Sequence, residues 1–167
     1  NGRDGISISS SLNTITGNTI WENGELDINF NNPSICNQII TNNIGSGNRP
    51  IRFFNSSINL QNEAVSELIL CSAHNSNINN VVVEGSTQLK NNGLIVYYSN
   101  NITIENVVSS NNYYGFYIYS SNNNRLIGNS VNSNIFDGIW FPPFLFSNNN
   151  LIIGNTITQN NQSGIFL

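Results

Sequence analysis

The residues of this chain that could do chemistry are few, and most of them are acids. Nine Asp and Glu residues stand against five Lys and Arg residues and one His. Glu84 and Glu105 each end a short apolar segment that begins with Asn, and the two segments look like equivalent parts of a repeat. If the equivalent segments stack as neighbouring strands, the two residues lie about 4.8 Å apart at the ends of those strands. Such a pair could act in acid–base catalysis or hold a cation weakly, although two solvated corner residues are the simpler interpretation.

Two other groups of residues lack the partners that catalysis or metal binding needs. Glu22, Glu25 and Asp27 lie close together, but without the regular spacing of a calcium loop. His74 lies near Cys71, yet no third residue is placed to orient a nucleophile–base pair. We therefore predict no catalytic residue, no metal site and no cofactor.

An aromatic stripe is the feature that points most directly to binding. If side chains alternate inward and outward after each repeated Gly, one outward column is formed by Ile95, Tyr117, Trp140 and Phe166, with Tyr97 and Tyr119 beside the first two. We predict that these six residues form an exposed interaction surface. Aromatic faces beside Asn amides suit sugar rings and protein neighbours equally, and simple cover by a loop is a third interpretation.

The strands that would carry this stripe follow from an internal repeat. Gly93, Gly115, Gly138 and Gly164 each open an apolar segment, at spacings of 22, 23 and 26 residues. Each period holds three short apolar segments separated by Asn-, Ser- and Gly-rich turns, without the 3.6-residue periodicity of helices. Such a period predicts one coil, or rung, of a parallel β-helix, which buries its apolar side chains only against neighbouring coils.

The repeat also predicts which side chains share the interior and how the domain is organised. We expect one domain over residues 1–167, with regular coils in 1–29 and 77–167 and irregular coils carrying longer loops in 30–76. Asn tolerates the left-handed backbone of the corners, and stacked Asn amides can satisfy one another there. The predicted inward columns are Ile6, Leu94, Phe116, Ile139 and Ile165; Ile8, Val96, Ile118, Phe141 and Leu167; Ile15, Val82, Leu126 and Ile152; and Ile20, Val108, Val131 and Ile157, with Asn18, Asn106, Asn129 and Asn155 as the corner column.

Composition argues against several classes of protein. Asn accounts for 37 of the 167 residues, whereas charged residues make up only 8% and the net charge is −4. So few basic residues disfavour nucleic-acid binding. No apolar run approaches the 18 or so residues that a membrane span needs. The absence of Met and of a signal peptide leads us to expect a segment of a longer chain or a stacking subunit.

Two further patterns concern the compartment. Cys36 and Cys71 permit one disulfide, which would fit an extracellular setting, and two separate buried thiols are the alternative. Asn55, Asn101 and Asn161 begin Asn-x-Ser/Thr sequons, and we predict glycosylation at all three if the protein is secreted.

The repeat carries a family resemblance. The repeated motif is clearest in residues 123–139 and 149–165. Each of these segments contains, in order, paired Asn, a short apolar run, Gly-Asn, a second apolar run, Asn and Gly-Ile. This pattern resembles right-handed parallel β-helix repeat proteins, including the NosD-like group, the carbohydrate-binding and sugar-hydrolase repeat domains, and archaeal or bacterial cell-surface proteins. The resemblance implies an all-β fold, a right-handed parallel β-helix of about seven rungs of roughly 22 residues with three short strands each.

The resemblance leaves function open, because the family includes polysaccharide lyases, epimerases, adhesins and surface-layer components. We expect a nonenzymatic structural or adhesive solenoid at the cell surface that assembles end to end as a filament or surface layer. A noncatalytic module that binds cell-surface glycans is the first alternative. A polysaccharide lyase, epimerase or hydrolase with active residues partly outside this segment is the second.

Overall fold

Short β-strands make up the regular structure of this chain. The computed structural model describes residues 2–32, 35–143 and 146–167. Those residues contain one 3-10 turn at Ser46–Asn48 and no α-helix, so none of their helical segments could cross a membrane. In chain order the strands are β1 (Ile6–Ile8), β2 (Thr14–Thr16), β3 (Ile28–Phe30), β4 (Ile39–Thr41), β5 (Asn43–Ile44), β6 (Pro50–Phe54), β7 (Asn59–Gln61), β8 (Ala64–Val65), β9 (Glu67–Cys71), β10 (Asn77–Asn79), β11 (Val82–Glu84), β12 (Leu94–Tyr97), β13 (Thr103–Glu105), β14 (Val108–Ser110), β15 (Phe116–Tyr119), β16 (Arg125–Ile127), β17 (Ser130–Asn132), β18 (Ile139–Trp140), β19 (Leu151–Ile153), β20 (Thr156–Thr158) and β21 (Ile165–Phe166).

The strands from β6 onward form a parallel β-solenoid, which confirms the predicted fold class. Its first sheet contains β7, β10, β13, β16 and β19, and its second contains β8, β11, β14, β17 and β20. Its third sheet contains β6, β9, β12, β15, β18 and β21, with β5 added antiparallel to β6 at the edge. Each coil contributes one strand to each sheet, so that neighbouring coils bury one another's apolar side chains.

The predicted column of inward side chains lies in the third sheet, where it lines the interior of this main solenoid. Leu94 pairs with Phe116, Phe116 with Ile139 and Ile139 with Ile165. The first three of these side chains are fully buried. The column also extends back to Leu68, one coil before Leu94.

The inward columns of the other two sheets differ in part from the prediction. Ile78 pairs with Ile104 in the first sheet, and Val83, rather than Val82, points inward in the second. Val82 and Val108 pair with each other on the outside and are partly exposed. The prediction was wrong for Val82 because Ile78 holds its place in the column of Leu126 and Ile152, and it was wrong for Val108 because Ser109 is in register with Val131.

Asn side chains stack at the corners, in the way that the sequence predicts but in a different register. Asn129 Nδ2 donates to Asn155 Oδ1 at 2.9 Å, and the Val107 N–H donates to Asn129 Oδ1 at 2.8 Å. Val107 therefore occupies the position that we assigned to Asn106, which lies exposed one residue earlier. A second ladder joins Asn112, Asn134 and Asn160 in the same geometry.

The residues up to the end of β5 form a separate two-coil unit, not the first coils of the main solenoid. In this N-terminal unit (residues 2–44, described over 2–32 and 35–44), β1 pairs with β3 and β2 with β4, all in parallel. Its apolar side chains cluster with the outward side chains of the third sheet. The predicted columns were therefore wrong for Ile6, Ile8, Ile15 and Ile20, and Asn18 stacks on Asn43 within this unit.

A chain reversal separates the two parts. After β5 the chain turns through Ser46–Asn48 and returns antiparallel as β6, which begins the main solenoid. Gly45 allows this close packing, because a Cβ there would contact Ser66 Oγ and lie 2.8 Å from Asp27 Oδ2. Strands β6 to β10 then follow the regular stack, so the segment predicted to be irregular, 30–76, contains the first regular coils of the main solenoid.

Candidate functional site

Three half-buried aromatic rings stack on the outer face of the third sheet. Tyr117 and Trp140 are neighbours in register, with ring centres 4.9 Å apart and planes inclined by 17°. Tyr114 joins them from the corner before Gly115, at 5.0 Å from Tyr117 and 5.2 Å from Trp140. We call Tyr114, Tyr117 and Trp140 the aromatic stack.

The predicted interaction surface is exposed only in part. Ile95 is 0% exposed and Tyr97 is 2% exposed, so the prediction was wrong for these two residues. The N-terminal unit covers them, and the ring of Phe30 lies 5.9 Å from that of Tyr97. Tyr117, Tyr119 and Trp140 are half-buried, and Phe166 is 40% exposed.

A groove runs between the aromatic stack and the N-terminal unit. Its volume is about 350 Å³, which lies within the range of small-ligand pockets. One wall is formed by tyrosines of the third sheet, and the other by polar residues around β3. The residues that line this tyrosine groove are Glu25, Leu26, Asn29, Phe30, Asn31, Tyr97, Tyr114, Tyr117 and Tyr119.

Hydrogen bonds fix the polar wall of the tyrosine groove. Asn29 Nδ2 donates to Asp4 Oδ2 at 2.9 Å, which leaves the amide oxygen of Asn29 as an acceptor. Asp4 Oδ1 accepts from the Leu26 N–H at 3.2 Å. No described residue forms an ion pair with the carboxylate of Glu25. The Glu25 carboxylate and the Asn29 amide oxygen are therefore acceptors on this wall.

Burial keeps the hydroxyl groups of the aromatic stack protonated. Burial is the main cause that raises the pKa of Tyr114, and the tyrosines Tyr113 and Tyr117 and the acids Glu25 and Asp4 raise it further. The pKa of Tyr117 is raised in the same way, mainly by burial. Both hydroxyls can thus donate and accept hydrogen bonds across the physiological pH range.

A second groove lies on the other side of the stack. Its volume is about 480 Å³, and it is lined by Phe136, Asp137, Trp140, Pro142, Pro143, Gln162, Ser163 and Phe166. Phe144 and Leu145, which follow its prolines, lie outside the described residues. This second groove has more apolar and fewer hydrogen-bonding groups than the tyrosine groove.

Two acids are buried where the N-terminal unit meets the main solenoid. Asp27 accepts hydrogen bonds from the side-chain amides of Asn91 and Asn92, at 2.9 and 2.8 Å. Glu67 points outward from β9 and accepts the Ile28 N–H at 2.9 Å. Burial raises the pKa of Asp27, and it raises that of Glu67 well above the usual value, with the charge of Asp27 as the next cause.

The acids that we considered for catalysis or cation binding are not brought together. Glu84 pairs with Ser110, whereas Glu105 pairs with Asn79, so these two carboxylates do not stack. Glu84 instead forms an ion pair with Arg49, with 3.4 Å between Nη1 and Oε2. Within residues 2–32, 35–143 and 146–167, no three His, Cys, Asp or Glu side chains are grouped so that they could hold a metal.

Cys71 forms a disulfide instead of the nucleophile–base pair with His74 that we considered. Cys36 and Cys71 form a disulfide, which links the N-terminal unit to β9. Of the two alternatives that the sequence left open, the structure thus contains the disulfide. The Cys71 sulfur is not available as a nucleophile, and His74 Nδ1 accepts the Asn100 N–H at 3.1 Å instead.

The three sequon residues are all exposed, but their amides differ. Asn55 Nδ2 donates to the carbonyl oxygens of Cys36 and Gln38 at 3.3 and 3.4 Å. Asn101 Nδ2 donates to Asn75 Oδ1 at 3.3 Å. The Asn161 backbone N–H donates to Asn134 O, and no described residue accepts from its side-chain amide. Glycosylation at these positions stays a prediction.

Comparison with known proteins identifies the family. The family model described as "Right handed beta helix region" matches residues 1–142 and, in a second overlapping match, residues 67–167. A search of curated proteins found no match, and neither did a search of solved structures. The two matches together span the whole chain and agree with the parallel solenoid that its strands form. The chain therefore belongs to the right-handed β-helix family.

Proposed function

We propose that this chain is a noncatalytic, extracellular adhesive β-solenoid that binds carbohydrate in the tyrosine groove. The observation that carries the proposal is the pairing of aromatic and hydrogen-bonding groups across this one groove. A sugar ring presents apolar C–H faces and polar hydroxyls, so it needs both kinds of partner. Rings of Tyr114, Tyr117 and Tyr119 supply the first, and the oxygens of Glu25 and Asn29 supply the second.

The composition of the groove favours binding over catalysis. Two-carboxylate glycoside hydrolysis needs a pair of acids flanking the scissile bond, and Glu25 is the single acid among the residues that line the groove. Lyases and epimerases acting on acidic sugars need a base beside the reacting carbon. None of the described His, Lys and Arg residues lines the groove, and burial raises the pKa of its Tyr114 and Tyr117, which disfavours their base forms. These observations support a noncatalytic role.

The disulfide supports the extracellular part of the proposal. Disulfides persist in oxidising compartments and are rare in the reducing cytosol. The Cys36–Cys71 bond joins the N-terminal unit to the main solenoid, and the tyrosine groove has one wall from each. An oxidising environment would therefore help to keep the two walls together.

Isothermal titration calorimetry with a panel of oligosaccharides tests the proposal. We expect saturable binding by the unaltered chain, weakened about tenfold or more in Tyr117→Ala and Tyr119→Ala, since each removes a ring from the wall. Trp21→Ala is the matched control, because Trp21 is 53% exposed and lies outside the tyrosine groove. Thermal melting would verify that each variant is folded.

Two outcomes would refute carbohydrate binding in this groove. One is that the folded chain binds no oligosaccharide of the panel. The other is that Trp21→Ala loses as much affinity as Tyr117→Ala and Tyr119→Ala.

A further inference from the structure

We propose that the tyrosine groove selects uncharged sugars over uronic acids, and that Glu25 is the residue that enforces the selection. This inference rests on the proposed carbohydrate binding and names the class of sugar that the groove takes. Its basis is the charge and hydrogen-bonding character of the residues that line the groove.

The groove carries negative charge, and neither of the two ion pairs of the described residues includes its acid. Glu25 lines it directly, and Asp4 lies immediately behind Asn29, to which it is hydrogen-bonded at 2.9 Å. None of the described lining residues is Lys or Arg. Two of the arginines are committed elsewhere, Arg49 to Glu84 and Arg52 to Glu63, with closest nitrogen–oxygen distances of 3.4 and 2.8 Å.

This negative charge reaches the aromatic wall on which a sugar would lie. After burial, which is the largest cause, Glu25 and Asp4 both contribute to raising the pKa of Tyr113. They contribute to the raised pKa of Tyr114 as well, after burial and the neighbouring tyrosines. A sugar carboxylate against the same wall would meet the same repulsion.

The hydrogen-bonding groups of the groove favour neutral sugars for a second reason. Glu25 and the free amide oxygen of Asn29 can only accept hydrogen bonds. Sugar hydroxyls can donate to these oxygens, whereas a sugar carboxylate is itself only an acceptor. Replacing a hydroxymethyl group by a carboxylate next to this wall would therefore exchange a favourable contact for a repulsive one.

Matched oligosaccharides that differ only in the oxidation state of C6 test the inference. We would titrate the chain at neutral pH with gluco-, manno- and galacto-oligosaccharides and with the corresponding uronic-acid oligomers, at low and at high ionic strength. For the sugar type that binds, we expect the neutral member to bind at least about tenfold more tightly at low salt, with a smaller ratio at high salt as the charges are screened.

The variant Glu25→Gln tests whether Glu25 is the residue that causes the selection. Because Gln keeps the size of Glu but carries no charge, we expect the neutral-to-acidic ratio to fall several-fold while the neutral sugar still binds. Glu25→Ala is a second variant, with the same expected fall in the ratio, in case Gln perturbs the wall. Glu105→Gln, a half-exposed acid of the first sheet, is the control and should leave the ratio unchanged.

The outcomes separate this inference from the proposed function. If neutral and acidic members bind equally, or if both Glu25 variants retain the full ratio, the inference is overturned and carbohydrate binding stands. If neither member of any pair binds, the proposed function fails and the inference fails with it.

Discussion

Glu67 should make the stability of this protein depend on pH in a direction that is unusual for a carboxyl group. Its side chain is fully buried between the N-terminal unit and β9 and accepts one hydrogen bond, from the Ile28 N–H at 2.9 Å. No described residue is a hydrogen-bond partner of its other oxygen, Oε1. Burial, and then the charge of Asp27, raise its pKa well above the usual value of 4.5.

The raised pKa of Glu67 determines whether the free energy of unfolding rises or falls with pH. Above pH 4.5 the unfolded chain loses the Glu67 proton while the folded chain still holds it, so the free energy of unfolding falls as the pH rises. One such proton corresponds to a loss of about 1.4 kcal/mol per pH unit, up to the pKa of the folded state.

Glu67→Gln removes this contribution, because the amide has nearly the same shape and cannot ionise. We expect the free energy of unfolding of the variant to fall less steeply with pH, by about 1.4 kcal/mol per unit above pH 4.5. Asp27, whose pKa burial also raises, remains in the variant and keeps a residual slope of the same sign.

Urea unfolding followed by tryptophan fluorescence, repeated from acid to neutral pH, would measure both slopes. Glu63→Gln is the control, because it removes a half-exposed carboxylate just before β8 and should leave the contribution of Glu67 in place. Parallel stability–pH curves for the unaltered chain and Glu67→Gln would refute the reasoning.

Two further predictions concern the covalent link and the Asn ladders. Replacing both Cys36 and Cys71 by Ser should lower the free energy of unfolding by about 4 kcal/mol, because the disulfide closes a loop with a sequence separation of 35. Urea unfolding measures this loss, and a loss below about 1 kcal/mol would contradict the prediction. Asn129→Ala should lower the free energy of unfolding by about 2 kcal/mol, because it leaves the buried Val107 N–H without its partner and removes a hydrogen bond to the Ile104 carbonyl. Asn132→Ala, at a half-exposed position, should cost under about 0.5 kcal/mol in the same assay, and equal losses in the two variants would contradict the role of the ladder.

The sequence predicted the parallel solenoid, because its Gly-marked period repeats the same short-range constraints in every coil. Phe116 and Ile139 follow Gly residues at the same phase, so strand pairing places them in one column. For Val82 the prediction was wrong, because Ile78 holds its place in the column of Leu126 and Ile152. Either apolar residue fits such a column, and only the register of the neighbouring coils decides between them.

The sequence does contain an indication that Ile95 and Tyr97 are buried, but the alternation of inward and outward side chains does not reveal it. Residues 94–98 are apolar or aromatic without interruption, and strands covered on both faces read as continuous apolar runs. The run predicts that something covers the outer face, but it does not identify the cover. Phe30 and the rest of the N-terminal unit lie far away in the chain, and their repeat fits the main stack equally well.

By itself the sequence thus determined the kind of coil, the columns of the third sheet and the residues able to form corners, all of which depend on interactions between neighbours one period apart. The tertiary structure decided that the N-terminal unit stacks against the outside of the main solenoid, after the reversal at Ser46–Asn48. That packing buries Glu67 and places Glu25 and Asn29 opposite Tyr117. The tyrosine groove exists only because two stacks meet side by side, and no period within either stack specifies where they meet.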